Sequence, residues 1–147
     1  MANRMILNET SYFGAGSISA IVDEAKARAF KKILVVTDPS LVKFGVSTKV
    51  TKLLDEANIP YDMYTDIKAN PTIANIQGGV AKFKEAGADA IVAIGGGSSM
   101  DTAKGIAIII ANPEYADVVS LEGAVATKNK CVPIIAVPTT AGTAAEV

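Results

Sequence analysis

Histidine is absent from all 147 residues. Its absence excludes, within this chain, a His-based catalytic triad, a Cys2His2 zinc site and a facial His metal site. Tryptophan is also missing, and cysteine occurs once, at Cys131. Neither an internal disulfide nor a cysteine cluster can form, which suits a reducing cytoplasm. An excess of one charge is lacking as well: 14 basic residues against 15 acidic ones leave a net charge of −1. No basic block offers the cationic face that nucleic acids require. A long hydrophobic run is missing too. The longest strongly apolar stretch, residues 106–111, is far short of the roughly 20 residues that cross a bilayer. The opening Met1-Ala-Asn-Arg-Met-Ile-Leu-Asn-Glu9 has no signal-peptide core. The expectation is a cytoplasmic protein that partners neither nucleic acid nor membrane.

What is present is apolar material. Half of the residues are hydrophobic and the mean hydropathy is +0.33. Disordered chains lack such residues and carry strong net charge, so disorder is excluded. A sheet of parallel strands covered on both faces explains the excess, because its strands read as continuous apolar runs.

Strands and helices alternate along the chain. Residues 4–8 form a short candidate strand, and Gly14-Ala-Gly16 marks a turn. From Ser17, Ile18, Ile21, Val22 and Ala25 recur at helical spacing. Residues 32–38 read as a buried strand, 46–56 as a helix with Val50, Leu53 and Leu54 on one face, and 61–67 as a second strand. After Asn70-Pro71, Thr72 is placed as an N-cap. Ile73, Ile76, Val80 and Phe83 then trace a helical stripe that Gly87 terminates. Residues 89–94 are the clearest strand; 99–111 follow as a buried helix stopped by Asn112-Pro113, and 131–137 are a further strand. Strands separated by single helices indicate βαβ units, hence an α/β fold with a Rossmann-like, doubly wound parallel sheet. Such sheets bind ligands at the carboxyl ends of their strands. The loops of interest therefore follow Asp38, Ile67, Ile94 and Val137.

Each of these loops carries candidate chemistry. Gly95-Gly96-Gly97-Ser98 lies between a strand and a helix. Its glycines allow close backbone approach, and the helix N-terminus suits a phosphate. It is neither the common dinucleotide fingerprint, since Met100 occupies the third glycine position, nor a P-loop. A tight turn without a ligand is the alternative. Asp38, ending an early strand, could accept hydrogen bonds from both ribose hydroxyls of an adenosine and repel a 2′-phosphate, favouring NAD over NADP. On local grounds a cap or turn aspartate before Pro39 is the stronger reading. Pro138-Thr139-Thr140-Ala141-Gly142-Thr143 either lines a pocket or is a solvated loop. Asn70 is a turn residue or a ligand amide. Asp101 is read as a first-turn helix residue, Lys104 as a surface side chain and Cys131 as a small core residue.

These motifs, in this order and across the whole chain, resemble the N-terminal half of the iron-dependent (group III) alcohol dehydrogenases. The Gly-Gly-Gly-Ser with its following Asp101 carries the likeness, together with Thr139-Thr-Ala-Gly-Thr-Ala-Ala-Glu146. The opening ten residues, Phe13-Gly14 and Leu121-Glu122-Gly123 point to the branch that interconverts lactaldehyde and propane-1,2-diol with NAD. The resemblance implies that Asp38 holds the adenosine ribose and that Gly96, Gly97 and Ser98 hold the pyrophosphate. It places Thr139, Thr140 and Thr143 along the cofactor and Asn70 at its edge. It also implies a homodimer paired through the N-terminal strand. The family's metal, iron or zinc, is bound by one Asp and three His in an all-helical C-terminal domain. That domain is absent from this chain, so no metal ligand and no catalytic residue carries over. Residues 1–147 are then a dinucleotide-binding domain, truncated at its C-terminal end, of a hydride-transferring oxidoreductase for a small alcohol or aldehyde. Alone they are expected to be inactive. The alternative is a non-catalytic nucleotide-binding or interaction module from a truncated gene.

Overall fold

The computed structural model describes residues 9–122 and 126–147. The candidate strand at residues 4–8 lies outside them. Four strands, β1 (Ile33–Thr37), β2 (Tyr61–Tyr64), β3 (Ala90–Gly95) and β4 (Ile134–Pro138), form one sheet in the order β2-β1-β3-β4. Every pairing is parallel. The helices are α1 (Ala20–Ala27), α2 (Pro39–Lys43), α3 (Thr48–Glu56), α4 (Ile73–Ala86) and α5 (Gly97–Ala111); one short 3-10 turn precedes α1 and two follow α5.

Successive side chains of a strand point to opposite faces, and here both faces are apolar. On β1, Ile33 and Val35 join Ile21, Ala25, Val50 and Leu54 of α1 and α3. Leu34 and Val36 join Phe83, Ala103, Ile106 and Ala107 of α4 and α5. Strand β3 divides in the same way, with Val92 and Ile94 on the first face and Ile91 and Ala93 on the second. The three-layer arrangement accounts for the unbroken Ile-Leu-Val-Val and Ala-Ile-Val-Ala-Ile runs, whose residues are essentially inaccessible. The doubly wound α/β sheet anticipated from the sequence is the observed fold.

Several local expectations change. Strand β2 ends at Tyr64, although Ile67 beyond it stays buried. Helix α2 escaped the periodicity reading because its five residues are too few to show a repeat. The α4 stripe is displaced: Asn75, Gly79 and Phe83 are buried and Ile73 is exposed. The capping box explains the shift. Asn75 Oδ1 accepts hydrogen bonds from Thr72 N (3.0 Å) and Thr72 Oγ1 (2.7 Å), and Asn75 N donates to Thr72 Oγ1 (3.3 Å). This pulls Asn75 inward. Cys131 is exposed rather than core. The strand begins three residues later, and Val132 takes the inward position beside α5.

Helix α4 approaches α5 and β2 closely at Gly79. A Cβ there would collide with the Ile106 side chain, 2.8 Å from its Cγ1, and lie 3.1 Å from Tyr64 Cε1. Alanine is the better helix former by about 1 kcal/mol, but overpacking costs about 1–3 kcal/mol. Gly79→Ala is therefore expected to lower unfolding free energy in urea titration; an increase would contradict the close packing described here.

Candidate dinucleotide site

The strand order places a reversal between β1 and β3. After β1 the chain crosses to the face covered by α3; after β3 it crosses to the opposite face, covered by α5. Loops that diverge in this way leave a crevice at the carboxyl edge of the sheet, where open α/β folds take their ligands. A cavity of about 440 Å³ lies there, lined by Asp38, Pro39, Ser40, Ile67, Lys68, Ala69 and Ser98. Three of the four loops singled out in the sequence meet on its walls.

Asp38 follows directly from β1. Its Oδ1 accepts hydrogen bonds from Ser40 N (2.8 Å), Leu41 N (3.1 Å) and Ser40 Oγ. It is thus the N-cap of α2, with Pro39 at the first helical position, where a missing N–H costs nothing. Of the two local readings of this residue, the cap is the one observed. The cap occupies Oδ1, while Oδ2 takes no part in it and the side chain still lines the cavity.

At the tip of β3, Gly95 has φ of +145°, and a Cβ there would strike Ser99. The turn tolerates no side chain. Gly96 is the N-cap of α5, and no side chain caps that helix. Its first N–H groups and the positive end of its dipole are left for an anion. A Cβ on Gly96 would come within 3.0 Å of Thr140 Oγ1, so this glycine lets the β4 loop approach. Gly97 differs: a Cβ there would meet nothing within 4 Å. No neighbour in the described chain requires a glycine at that position. Ser98 Oγ donates to the Ala69 carbonyl at 3.4 Å, which ties the loop after β2 to the start of α5.

That loop is held from its other side by residues the sequence reading did not single out. Asn75 Nδ2 donates to the Asp66 carbonyl at 2.9 Å, and Tyr64 OH donates to the Asn75 carbonyl at 2.6 Å. Burial, with a smaller contribution from Asp66, raises the Tyr64 phenol pKa above its ordinary value, which keeps this donor protonated. An Asn in the first turn after a Thr-capped helix start is the sequence signal that could have identified the anchor. Lys68 is the other omission; an isolated lysine in a loop carries no pattern.

The remaining candidates are placed as follows. Asn70 is exposed and does not line the cavity, although its neighbour Ala69 does. Thr139 continues the parallel ladder, its N–H donating to the Gly95 carbonyl at 2.9 Å. Thr139 and Thr140 are therefore brought to the glycine turn. Thr143 lies further along the exposed loop and accepts from Ala145 N at 3.3 Å. Lys104 donates to the Val147 carbonyl at 2.9 Å. Among the described residues, no group of three His, Cys, Asp or Glu side chains could hold a metal ion, and no helix is long and apolar enough to cross a membrane.

Comparison with known proteins gives a consistent family. The family model described as iron-containing alcohol dehydrogenase matches residues 8–147. The chain is 54% identical to the lactaldehyde reductase of Escherichia coli K12 over 147 residues, which is all of this chain and 38% of that protein. The alcohol dehydrogenase of Oenococcus oeni superposes with a TM-score of 0.91 at 37% identity, over 99% of this chain and 38% of its own. The sulfoacetaldehyde reductase of Bifidobacterium kashiwanohense, solved in complex with NAD+, superposes with a TM-score of 0.78 at 29% identity, over 98% of this chain and 39% of its own. The chain thus spans well under half the length of these relatives.

Gly97 offers a test that separates packing from ligand approach. Gly97→Ala is expected to leave the melting temperature unchanged or raise it, since a first-turn alanine is favoured by up to about 1 kcal/mol. The same change is expected to weaken binding of ADP about tenfold, as a methyl group displaces a phosphate from the helix N-terminus. Unchanged ADP affinity would remove Gly97 from the site.

Proposed function

Because the chain belongs to the iron-containing alcohol dehydrogenase family, we propose that it forms the NAD-binding part of an oxidoreductase that moves hydride between NAD(H) and a small alcohol or aldehyde. The substrate pair proposed is lactaldehyde and propane-1,2-diol. One observation carries the reading: Asp38 and the open N-terminus of α5 face a single cavity at the strand-order reversal. Its volume suits part of a dinucleotide. The NAD+ complex of a structural relative supports the cofactor, and the likeness to a lactaldehyde reductase over the whole chain supports the substrate class.

In this reading each group has a defined task. The α5 N-terminus, open at Gly97, receives the pyrophosphate with its free N–H groups and dipole. Ser98 adds its first-turn backbone N–H, while its hydroxyl holds the Ala69 carbonyl. Asp38 keeps its cap on α2 through Oδ1 and accepts the adenosine ribose hydroxyls through the rest of its carboxylate. Thr139 and Thr140 flank the glycine turn and direct the remainder of the cofactor along the β4 edge, with Thr143 further out and Asn70 at the rim. The bound nicotinamide supplies or receives the hydride. The family name implies iron, but the described side chains offer no ligand set for it, and none of them is assigned a part in metal chemistry.

Two outcomes follow. Asp38→Asn keeps a capping oxygen and removes the charge, so α2 is expected to persist. Calorimetric titration should then show the ratio of NADP to NAD dissociation constants falling about tenfold, the scale of a lost charged hydrogen bond; an unchanged ratio would count against the ribose role. The 147 residues are expected to bind NADH without oxidising it when lactaldehyde and iron or zinc are added. Turnover like that of a full-length family member would refute the division of labour proposed here.

A further inference from the structure

The sheet ends in β2 on one side and β4 on the other, and the two edges are built differently. A free strand edge is a template for another chain, and proteins blunt it with charge, proline or short length. Strand β2 is blunted: it has four residues, and Asp62 among them is ion-paired with Lys32 at 3.0 Å. Strand β4 lies in a stretch, residues 131–145, that contains no charge. Ile134, Ile135, Ala136 and Val137 are as aliphatic as residues 91–94 of β3. Yet they stay half-exposed, where those β3 residues are at most 1% exposed. Ile134 and Ala136 face the α4–α5 side and Ile135 and Val137 the α1–α3 side, so both faces of β4 are incompletely covered.

The backbone of this edge is self-complementary. Ile91 N donates to the Pro133 carbonyl, and Thr139 N donates to the Gly95 carbonyl. In a parallel ladder alternate residues of a strand face one neighbour, so Pro133, Ile135, Val137 and Thr139 face β3. Ile134 and Ala136 therefore turn their N–H and C=O groups outward, and no described backbone group meets them. Beyond this pair the outward donors end. Val132 N is already given to the Ala107 carbonyl at 3.3 Å, and Pro138 has no N–H. The free donors, each with its own carbonyl, are thus placed evenly about Ile135. A second β4 laid antiparallel about a two-fold axis at Ile135 sets Ile134 against the partner's Ala136, and Ala136 against the partner's Ile134. Each pair then exchanges both of its hydrogen bonds. The ladder stops at Val132 and Pro138 with no N–H left unmet.

We propose that β4 is the interface of a closed dimer of this chain, joined edge to edge by antiparallel β4 strands about Ile135. Ile135 meets the partner's Ile135 as a non-hydrogen-bonded pair, where side chains of an antiparallel ladder approach most closely. Apolar pairs at such positions stabilise a sheet. A net charge of −1 does not oppose association. The same patch is used on both copies, so assembly closes at the dimer and leaves no free edge at β4. The carboxyl ends of the two sheets point in opposite directions, and both crevices stay open.

Sedimentation velocity of the 147-residue chain at micromolar to millimolar concentration should show a monomer–dimer equilibrium. Amide hydrogen exchange should slow at Ile134 and Ala136 as the dimer forms, whereas Ile135 and Val137, bonded to β3, are protected at every concentration. Spin labels on the exposed Cys131 should report backbone positions about 27 Å apart, the rise of about eight strand residues. Ile135→Lys sets like charges opposite each other and should weaken the dimer about fivefold. Ile135→Glu should do the same, and mixing the two variants should restore association. A chain that stays monomeric at millimolar concentration would overturn the proposal. So would a dimer in which Ile134 and Ala136 exchange as freely as in the monomer, labels in close contact, open-ended oligomers, or folded Ile135 variants that associate like the wild type. If a substitution prevents folding, the exchange pattern and label distance of the wild type decide.

Discussion

Two neighbouring parallel strands, β1 and β3, send their following helices to opposite faces of the sheet, and the rest of the molecule's geometry follows from that divergence. Parallel strands need crossover connections, and crossovers bury both faces of the sheet. Burial explains why β1 and β3 are almost wholly aliphatic. Divergence explains why the only polar chemistry these strands carry sits at their carboxyl ends, where the backbone leaves the sheet and no helix can cover it. A cavity forms there because nothing in the described chain fills the angle between α2 and α5.

The two helix starts that meet at this angle are finished in opposite ways. Asp38 caps α2 with its own carboxylate, so that short helix is satisfied internally. Helix α5, three times as long, starts on a glycine and has no side-chain cap. An uncapped start on a helix whose body is packed in the core leaves several donors to be met from outside. In the proposed reading a phosphate meets them, and the neighbouring aspartate reads the sugar beside it. The family assignment gives the proposed cofactor role its chemical context, and among the described residues no group of three His, Cys, Asp or Glu side chains could hold a metal ion.

The large features were legible because they are periodic. Strands buried on both faces announce themselves as continuous apolar runs, and Ile94-Gly-Gly-Gly-Ser98 marks the passage from strand to helix whatever surrounds it. What stayed hidden was aperiodic or nonlocal. Helix α2 has five residues, too few for a repeat. Asn75 is buried by a capping box and then reaches back to Asp66, a contact between segments that no window of sequence displays. Asn112 reads as a helix stop, yet its side chain also accepts from Asn129 N at 2.9 Å and pins the approach to β4. Cys131 was misplaced because composition cannot tell the first residue of an extended approach from the strand itself. The role of Asp38 was undecidable in sequence for a different reason: cap and ligand carboxylate are compatible, and only the geometry shows one oxygen serving the cap while the side chain still lines the cavity.

The most direct test of the central claim is a map of amide chemical shifts in the isotope-labelled chain as NAD+ is added. The account predicts perturbations concentrated at Gly96, Gly97 and Ser98, at Ser40 and Leu41 beside Asp38, and at Lys68 and Ala69. The face lined by Ser19, Val22 and Leu53, where a second, shallower depression lies, should stay unchanged. Perturbations confined to that second face, or none anywhere, would contradict the assignment of the β1–β3 crevice as the dinucleotide site.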